Sequence, residues 1–391
     1  MSKIRVGIFA DDLARSAMGT ALVLRRLLGE FQKSHTPEID VVLIHKSETE
    51  FPVEFKKFLK VVVPKIHTAK FSGFFSYLRF FVTTRERFDI IHIPRPALHP
   101  FFWLLKLLGK TKKIIVTFHG APDDDSIPIF ETAFTKFNRG LIKHWGKYWI
   151  DSAIADSKTG REQIVRYYKL RREKTEVIYP GVDSVYHSLS DQERIEAQKK
   201  LHHKYGVASP YVLCVSRLDP HKNVHRTIEA FVKAKGEANF PHELIIVGSK
   251  HEPVYSHLVE ETVKRLQAEK FIKIIPFVEE IDLPCLYAAS DFFIFASLSE
   301  GFGLPLVEAM ASGIPAITSD RSCLPEIAGG AALLVDPYNI IKIAETIRTL
   351  ASVRTEVRHA IAERGQKRAS EFKWETTAQK TANLYRSVAN T

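Results

Sequence analysis

"DFFIFASLSEGFGLPLVEAMASGIPAITSD" (residues 291–320) is the stretch on which the fold turns. Its first part, FFIFAS, is a short apolar run rich in aromatic and branched side chains, the signature of a strand covered on both faces. Apolar residues then recur at spacings of three and four through "LPLVEAMAS", which reads as a helix, and "PAITSD" (315–320) reads as a second strand. Pro305 suits the start of that helix and Gly313 its stop. Gly301 and Gly303 permit positive φ in the intervening loop. Two strands joined through a helix pair in parallel, because the crossover returns the chain to the same end of the sheet.

Working outward, the same unit repeats along the chain. The first half has strand-like runs at 4–10, 41–46, 89–94, 113–119, 152–157 and 176–180, with helical patterns such as "MGTALVLRRLLGEF" between them. "YPGVDSVYHSLSD" interrupts the alternation at Pro180 and Gly181. It restarts with runs at 211–216, 243–249, 272–278, 292–297, 315–320 and 331–336. The expected fold class is α/β: two doubly wound Rossmann-like domains whose parallel sheets face across a cleft, with ligands at the carboxyl ends of the strands. The expected boundaries are 1–183, 184–372 and a tail, 373–391, whose helical "WETTAQKTANLYRSVANT" has no strand of its own and is expected to cross back onto the first domain.

The 391 residues fit two domains better than one. At 45% hydrophobic and 26% charged, the composition is that of a globular protein. The apolar run after the N-terminus stops at Asp11 and Asp12, so no signal peptide is expected. "PFFWLLKLLG" is about half the ~20 residues a membrane span requires. Cys214, Cys285 and Cys323 have no metal or redox spacing and read as buried thiols of a cytoplasmic protein. The net charge of +11 is uneven: residues 51–150 carry 17 Lys/Arg against 7 Asp/Glu, and residues 251–350 carry 7 against 14. Basic residues interleave with bulky apolar ones in "FKKFLKVVVPKIHTAKFSGFFSYLRFF" and "FFWLLKLLGKTKK". Such a surface suits anionic lipid headgroups or nucleic acid, and equally a solvated face over a core. A basic helix-turn-helix or RNP pattern is absent, and nucleic acid would leave the acidic second half without a purpose.

Glu300 and Glu308 stand either side of the glycine loop. Glu308, placed in the first turn of the helix, could accept hydrogen bonds from a pair of sugar hydroxyls, and the helix N-terminus could face a phosphate. A glutamate in a first turn is also favoured by the helix dipole alone. "VSRLDPHKN" (215–223) puts Arg217 and Lys222 on one loop at a strand's carboxyl end, where a fork and a point charge could neutralise a diphosphate. "VTFHG" ends a strand on His119, a residue able to act as base or donor, though as often structural. The run Asp123–Asp125 reads as a solvated loop, and His187 has no assigned role.

These motifs, with "VIYPGVD" and "LPEIAGGAALLVDP", make the chain resemble the retaining glycosyltransferases of family four, relatives of glycogen and sucrose synthases. The likeness covers most of residues 150–336, and Glu300 and Glu308 match that family's E-x7-E pair. It implies a GT-B fold binding a nucleotide-sugar mostly through the second domain, with no cofactor and no metal. By carry-over, Arg217 and Lys222 would hold the diphosphate and Glu308 the ribose. Glu300 with Phe302, Gly303 and Leu304 would hold the donor sugar and phosphates, and Val278 would meet the base. His119 would lie near the reacting sugar, and Glu300 is not assigned as a covalent nucleophile. Relatives have two adjacent glycines where this chain reads "SAMGT", so Gly19 alone represents the acceptor-side loop. The implied acceptor is a saccharide or lipid-linked saccharide in surface polysaccharide or glycolipid synthesis. The implied donor sugar is a hexose such as glucose or mannose. Two other readings are a nucleotide-sugar-binding protein without catalysis and a glycan phosphorylase-like enzyme. The first would lose His119 or Glu300; the second would need a pyridoxal-phosphate lysine.

Overall fold

The computed structural model describes residues 3–14, 19–34, 37–46, 53–63, 72–96, 101–120 and 133–391. Asp123–Asp125 and part of the first basic, aromatic stretch lie outside these. Contacts divide the described chain into two units: one runs to Gly181 and includes Trp374–Thr391, and the other runs Val182–Lys373.

The first unit holds seven strands: β1 (Ile4–Phe9), β2 (Ile39–Lys46), β3 (Leu59–Val63), β4 (Phe88–Ile93), β5 (Thr111–Phe118), β6 (Ser152–Ala155) and β7 (Thr175–Val177). They form one parallel sheet in the order β3-β2-β1-β4-β5-β6-β7. Both faces are buried, as near-continuous apolar strands require. Val42, Ile44, Ile91 and Val116 join one core cluster, while their neighbours Val41, Leu43, Ile90 and Ile115 join another across the sheet.

Strand β3 falls inside the basic stretch and was not anticipated. It is an edge strand, paired to β2 in the register Val42↔Leu59 through Lys46↔Val63, and only Val63 of its residues is buried. An edge strand's exposed side carries charge, so it lacks the two-sided apolar pattern by which the others were read. Among the described aromatics of the same stretch, Phe55, Tyr77, Phe80 and Phe81 are buried.

The tail joins the first unit as expected. Helix Trp374–Ala389 packs its face of Ala378, Ala382, Tyr385 and Val388 into the cluster that holds Val6, Ile8 and Leu43. Spacings of four, three and three put these residues on one stripe. Tyr385 reaches deepest: its hydroxyl lies 2.6 Å from Nδ1 of His92 on β4, and His92 Nε2 lies 2.8 Å from Thr117 Oγ1 on β5. Burial holds the His92 pKa down to about 3, so the ring is neutral.

The second unit carries β8 (Tyr211–Val215), β9 (Glu243–Val247), β10 (Ile272–Ile275), β11 (Phe292–Phe295), β12 (Ala316–Ser319) and β13 (Leu333–Val335). All pair in parallel in the order β10-β9-β8-β11-β12-β13, so strand order reverses between β8 and β11. Two doubly wound parallel sheets with a returning terminal helix are the expected fold class. Strands are shorter than the sequence runs; β10 stops at Ile275 because Pro276 has no N–H to continue the ladder. Cys214 and Cys323 are buried, whereas Cys285 is half-buried.

Candidate functional site

The second unit's candidate site lies at the reversal point of its strand order, on the loops that follow β8 and β11, the place where open parallel sheets bind ligands. After β8 the chain passes Arg217 and makes a short 3₁₀ turn, Pro220–Lys222, before helix Val224–Glu237. Asn223 permits that sharp passage. It is buried, left-handed (φ 59°), and its Nδ2 donates to the Ala296 carbonyl at 3.0 Å and the Pro337 carbonyl at 2.7 Å. Leu298 N–H and Ser297 Oγ both donate to the His221 carbonyl, at 2.7 and 2.9 Å. The two loops are thereby fastened through backbone groups, and their side chains are held to a fixed spacing.

On that frame Lys222 Nζ lies 2.7 and 2.9 Å from the two carboxylate oxygens of Glu300, with both side chains largely buried. Ser322 Oγ donates to the Glu300 carbonyl at 2.9 Å and accepts from its N–H at 3.2 Å, pinning the backbone of that residue from the β12 loop. Arg217, a third exposed, is turned by Asp219 (Nη2–Oδ2 3.0 Å), whose other oxygen lies 2.6 Å from His251 Nδ1. His221 is kept neutral: burial, then the Lys222 charge, hold its pKa down to about 4.

Gly248 sets how closely β9 passes the Arg217 loop. A Cβ there would stand 1.8 Å from the Ser216 carbonyl oxygen. No side chain is possible without moving the backbone that carries Arg217.

In the glycine loop, Gly303 is left-handed (φ +90°) and caps helix Leu304–Ala311, and Gly301 is not among the left-handed residues. Gly313 closes the helix in a Schellman arrangement, with Ile314 N–H on the Ala309 carbonyl and Gly313 N–H on that of Met310. The helix begins at Leu304, so Pro305 is its second residue and Glu308 its fifth. Glu308 is therefore in the second turn and not the first, and the N-terminal dipole is a poor account of its presence. Its carboxylate is buried, accepts from the Tyr287 hydroxyl at 2.9 Å, and has the Tyr186 hydroxyl as a second donor. Burial pushes its pKa up to about 7; Asp183 adds to the rise, and the two tyrosines oppose it.

The other expected residues are dispersed. Phe302 is buried edge-on against Phe372, with ring centroids 5.3 Å apart. Leu304 opens the helix, half-buried. Val278 is half-buried three residues past β10. In the first unit, Gly19 is the exposed first residue of helix Gly19–Lys33. His119 follows β5 and pairs through Nδ1 with Asp156 Oδ2 at 2.8 Å. Burial works against a charge on His119, but Asp156 outweighs it by charge and hydrogen bond, aided by Asp12, and the pKa is raised. His119 Nε2 is buried with no hydrogen-bond partner among the described residues.

Asp156, Asn223, Tyr186, Tyr287 and Ser322 were not anticipated. Asp156 is 37 residues from His119 and Tyr287 is 21 from Glu308, so no local spacing marks either. Among the described residues, no group of three or more His, Cys, Asp or Glu is arranged to hold a metal ion, and no helix is long and apolar enough to cross a membrane.

Comparison with known sequences now separates a shared fold from a shared family. Residues 17–185 match the profile described as Glycosyltransferase Family 4, and residues 196–368 match that of Glycosyl transferases group 1. The chain belongs to this GT-B glycosyltransferase family. Among the relatives of this chain is O-antigen chain mannosyltransferase B of Escherichia coli, 31% identical over 244 residues, which are 61% of this chain and 61% of that protein. Another is the serotype-specific mannosyltransferase WbdA of Escherichia coli, 24% identical over 58% of this chain and 28% of that one. The chain thus spans under two thirds of the length of these curated relatives. Among solved structures, HepE of Anabaena in complex with UDP and glucose superposes with a TM-score of 0.78 at 20% identity, covering 98% of this chain and 100% of that one. That likeness is one of fold.

Proposed function

We propose that this glycosyltransferase moves a hexose from a nucleotide-sugar to a saccharide or lipid-linked saccharide in surface polysaccharide or glycolipid synthesis, in the cytoplasm, with retention at the anomeric carbon. Mannose is the favoured hexose, because the relatives named above are mannosyltransferases. The observation that carries the reading is the fixed Lys222–Glu300 pair, with Arg217 on the same loop as Lys222 at the strand-order reversal of the second unit.

Breaking a glycosyl–phosphate bond puts negative charge on the leaving diphosphate and positive charge on the anomeric carbon. Arg217 offers a planar fork and Lys222 a point charge to the first. The left-handed Gly303 and Leu304 begin a helix whose leading N–H groups have no helical carbonyl ahead of them and supply further donors. Because these groups are set by backbone hydrogen bonds, little reorganisation is needed as charge develops, and no metal is required for this task. Glu300 orients the sugar and faces the positive charge at its reacting carbon. Glu308 accepts from the ribose hydroxyls, Phe302 shapes the loop, and the backbone near Val278 meets the base. The acceptor side belongs to residues 1–183, with Gly19 at its first helix and His119 near the sugar; the donor side belongs to 184–372. The tail, with its helix Trp374–Ala389, completes the first unit.

The test is thermal shift of the purified protein with UDP, GDP, ADP and dTDP. A nucleotide at 100 times its dissociation constant adds about 2.7 kcal/mol of stability. One nucleotide should stabilise the wild type and do so far less in Lys222→Ala. The matching nucleotide-mannose should then be turned over with a saccharide acceptor in the presence of chelator. A flat response to all four nucleotides and to their sugars would overturn the reading.

A further inference from the structure

Helix Ala133–Trp149 in the first unit contains no Asp or Glu, and none of the stretches singled out above includes it. Lys136, Arg139, Lys143 and Lys147 recur along it at spacings of three and four, which makes one basic stripe. Phe137, Leu141, Trp145 and Tyr148 recur likewise and make a second, apolar one. Phe137, Trp145 and Tyr148 are 59%, 59% and 66% exposed, far more than large aromatics that serve a core. Beside the apolar stripe, helix Trp103–Leu107 and the residues before it complete a cavity of about 300 Å³, walled by Phe101, Trp103, Leu141, Trp145 and Trp149. That is about twice the volume of an apolar cavity that stays dry and binds benzene. Three of the chain's four tryptophans line it.

Each feature alone is ambiguous, and their combination is selective. A second copy of this chain would bring one basic stripe against another. An acidic partner would account for the lysines but not for an aromatic-walled void. Tryptophan and tyrosine flanked by lysine are what the boundary between headgroups and acyl chains stabilises: rings settle at that depth while ammonium groups stay in water beside phosphate. We propose that helix Ala133–Trp149 and the adjoining aromatic cavity form a lipid-docking face, on which the basic stripe meets the headgroups of an anionic bilayer and the cavity takes part of an acyl chain. This rests on the first unit alone and is independent of how the second unit holds a donor.

The test is flotation of the full-length protein with vesicles of phosphatidylcholine, with and without about one-third phosphatidylglycerol. Partition should be at least about tenfold higher on the anionic vesicles and should fall with added salt. Tryptophan emission should shift to the blue and be quenched by lipids brominated on the acyl chain. Lys136→Ala with Lys147→Ala, both exposed, should lower partition about 25-fold, since each basic residue near such a surface is worth roughly fivefold. Trp145→Ser should lower it about tenfold and remove much of the quenching. Phe137→Ser, at another exposed site, should act in the same direction. All variants should keep the wild-type melting temperature and nucleotide-induced shift, so loss of docking and loss of donor binding are read separately. Equal partition onto both vesicle types, binding without acyl-chain quenching, or a self-association that Trp145→Ser abolishes without any vesicle binding would each overturn the proposal.

Discussion

Lys222 Nζ and Glu300 Oε1 lie 2.7 Å apart although 78 residues separate them, and each extends from a loop that the other's loop holds by backbone hydrogen bonds. With both side chains nearly enclosed, neither charge is replaced cheaply by water. Lys222→Ala should therefore destabilise the second unit and weaken nucleotide-diphosphate binding by at least about tenfold. Adding Glu300→Ala should restore part of the stability and none of the binding. In a double-mutant cycle, denaturant unfolding should show a coupling of about 0.5–3 kcal/mol. Strict additivity would mean that the pair is not a unit.

Glu308 gives a pH signature. Its folded pKa, about 7, stands above the ordinary value of 4.5, so the native state holds a proton that the unfolded chain has released. Its contribution to stability is greatest below pH 4.5 and declines as pH rises through 7. Glu308→Gln removes the charge and keeps an acceptor for Tyr287. The variant should melt several degrees above wild type at pH 8 and alongside it near pH 5. Its response to nucleotide should be diminished at both. Melting curves across that range, with and without nucleotide, check all three statements.

For His119 the sign is the same. Asp156 raises its pKa, so the stabilisation from the pair is complete below pH 6.5 and fades as pH climbs through the folded pKa. Asp156→Asn should lower the His119 pKa, followed by NMR of the ring carbons, and should cost roughly 2 kcal/mol at pH 6 and less at pH 9. If the proposed place of His119 near the sugar is right, the alkaline limb of the activity profile should shift with it.

Gly248→Ala should be among the most damaging single-methyl additions in the chain. The new Cβ meets a backbone oxygen at 1.8 Å, so the β8 loop must move. Overpacking of this kind costs about 1–3 kcal/mol. Nucleotide affinity should fall along with stability, because Arg217 and Lys222 travel with that loop. Calorimetric titration of Gly248→Ala, set beside Gly236→Ala, where nothing lies within 4 Å of the added methyl, isolates the effect of position.

Truncating Tyr385 tests the tail. Tyr385→Ala removes a fully buried ring and the partner of His92 Nδ1, and should cost about 3–5 kcal/mol. The loss should appear in the unfolding of the first unit, while nucleotide binding by the second persists at temperatures where both remain folded.

The sequence by itself determined the fold class. Strands buried on both faces must be apolar almost throughout, and the helices between them must show a period near 3.6, so twelve of the thirteen strands among the described residues announce themselves. The thirteenth, β3, hid because an edge strand is free to carry charge. Sequence spacing also brought out Arg217, Lys222 and Glu300, since a loop at a strand's end has few structural reasons to collect such groups. Only the tertiary structure decided what each of these touches. That Lys222 meets Glu300, that His119 leans on Asp156, and that Glu308 is buried beneath Tyr287 and Tyr186 depend on parallel strands bringing together loops tens of residues apart. The same holds for the aromatics of the first half. Tyr77, Phe80 and Phe81 go inward and Trp145 and Tyr148 outward, because the sheet, and not the local sequence, determines which side of a helix is covered.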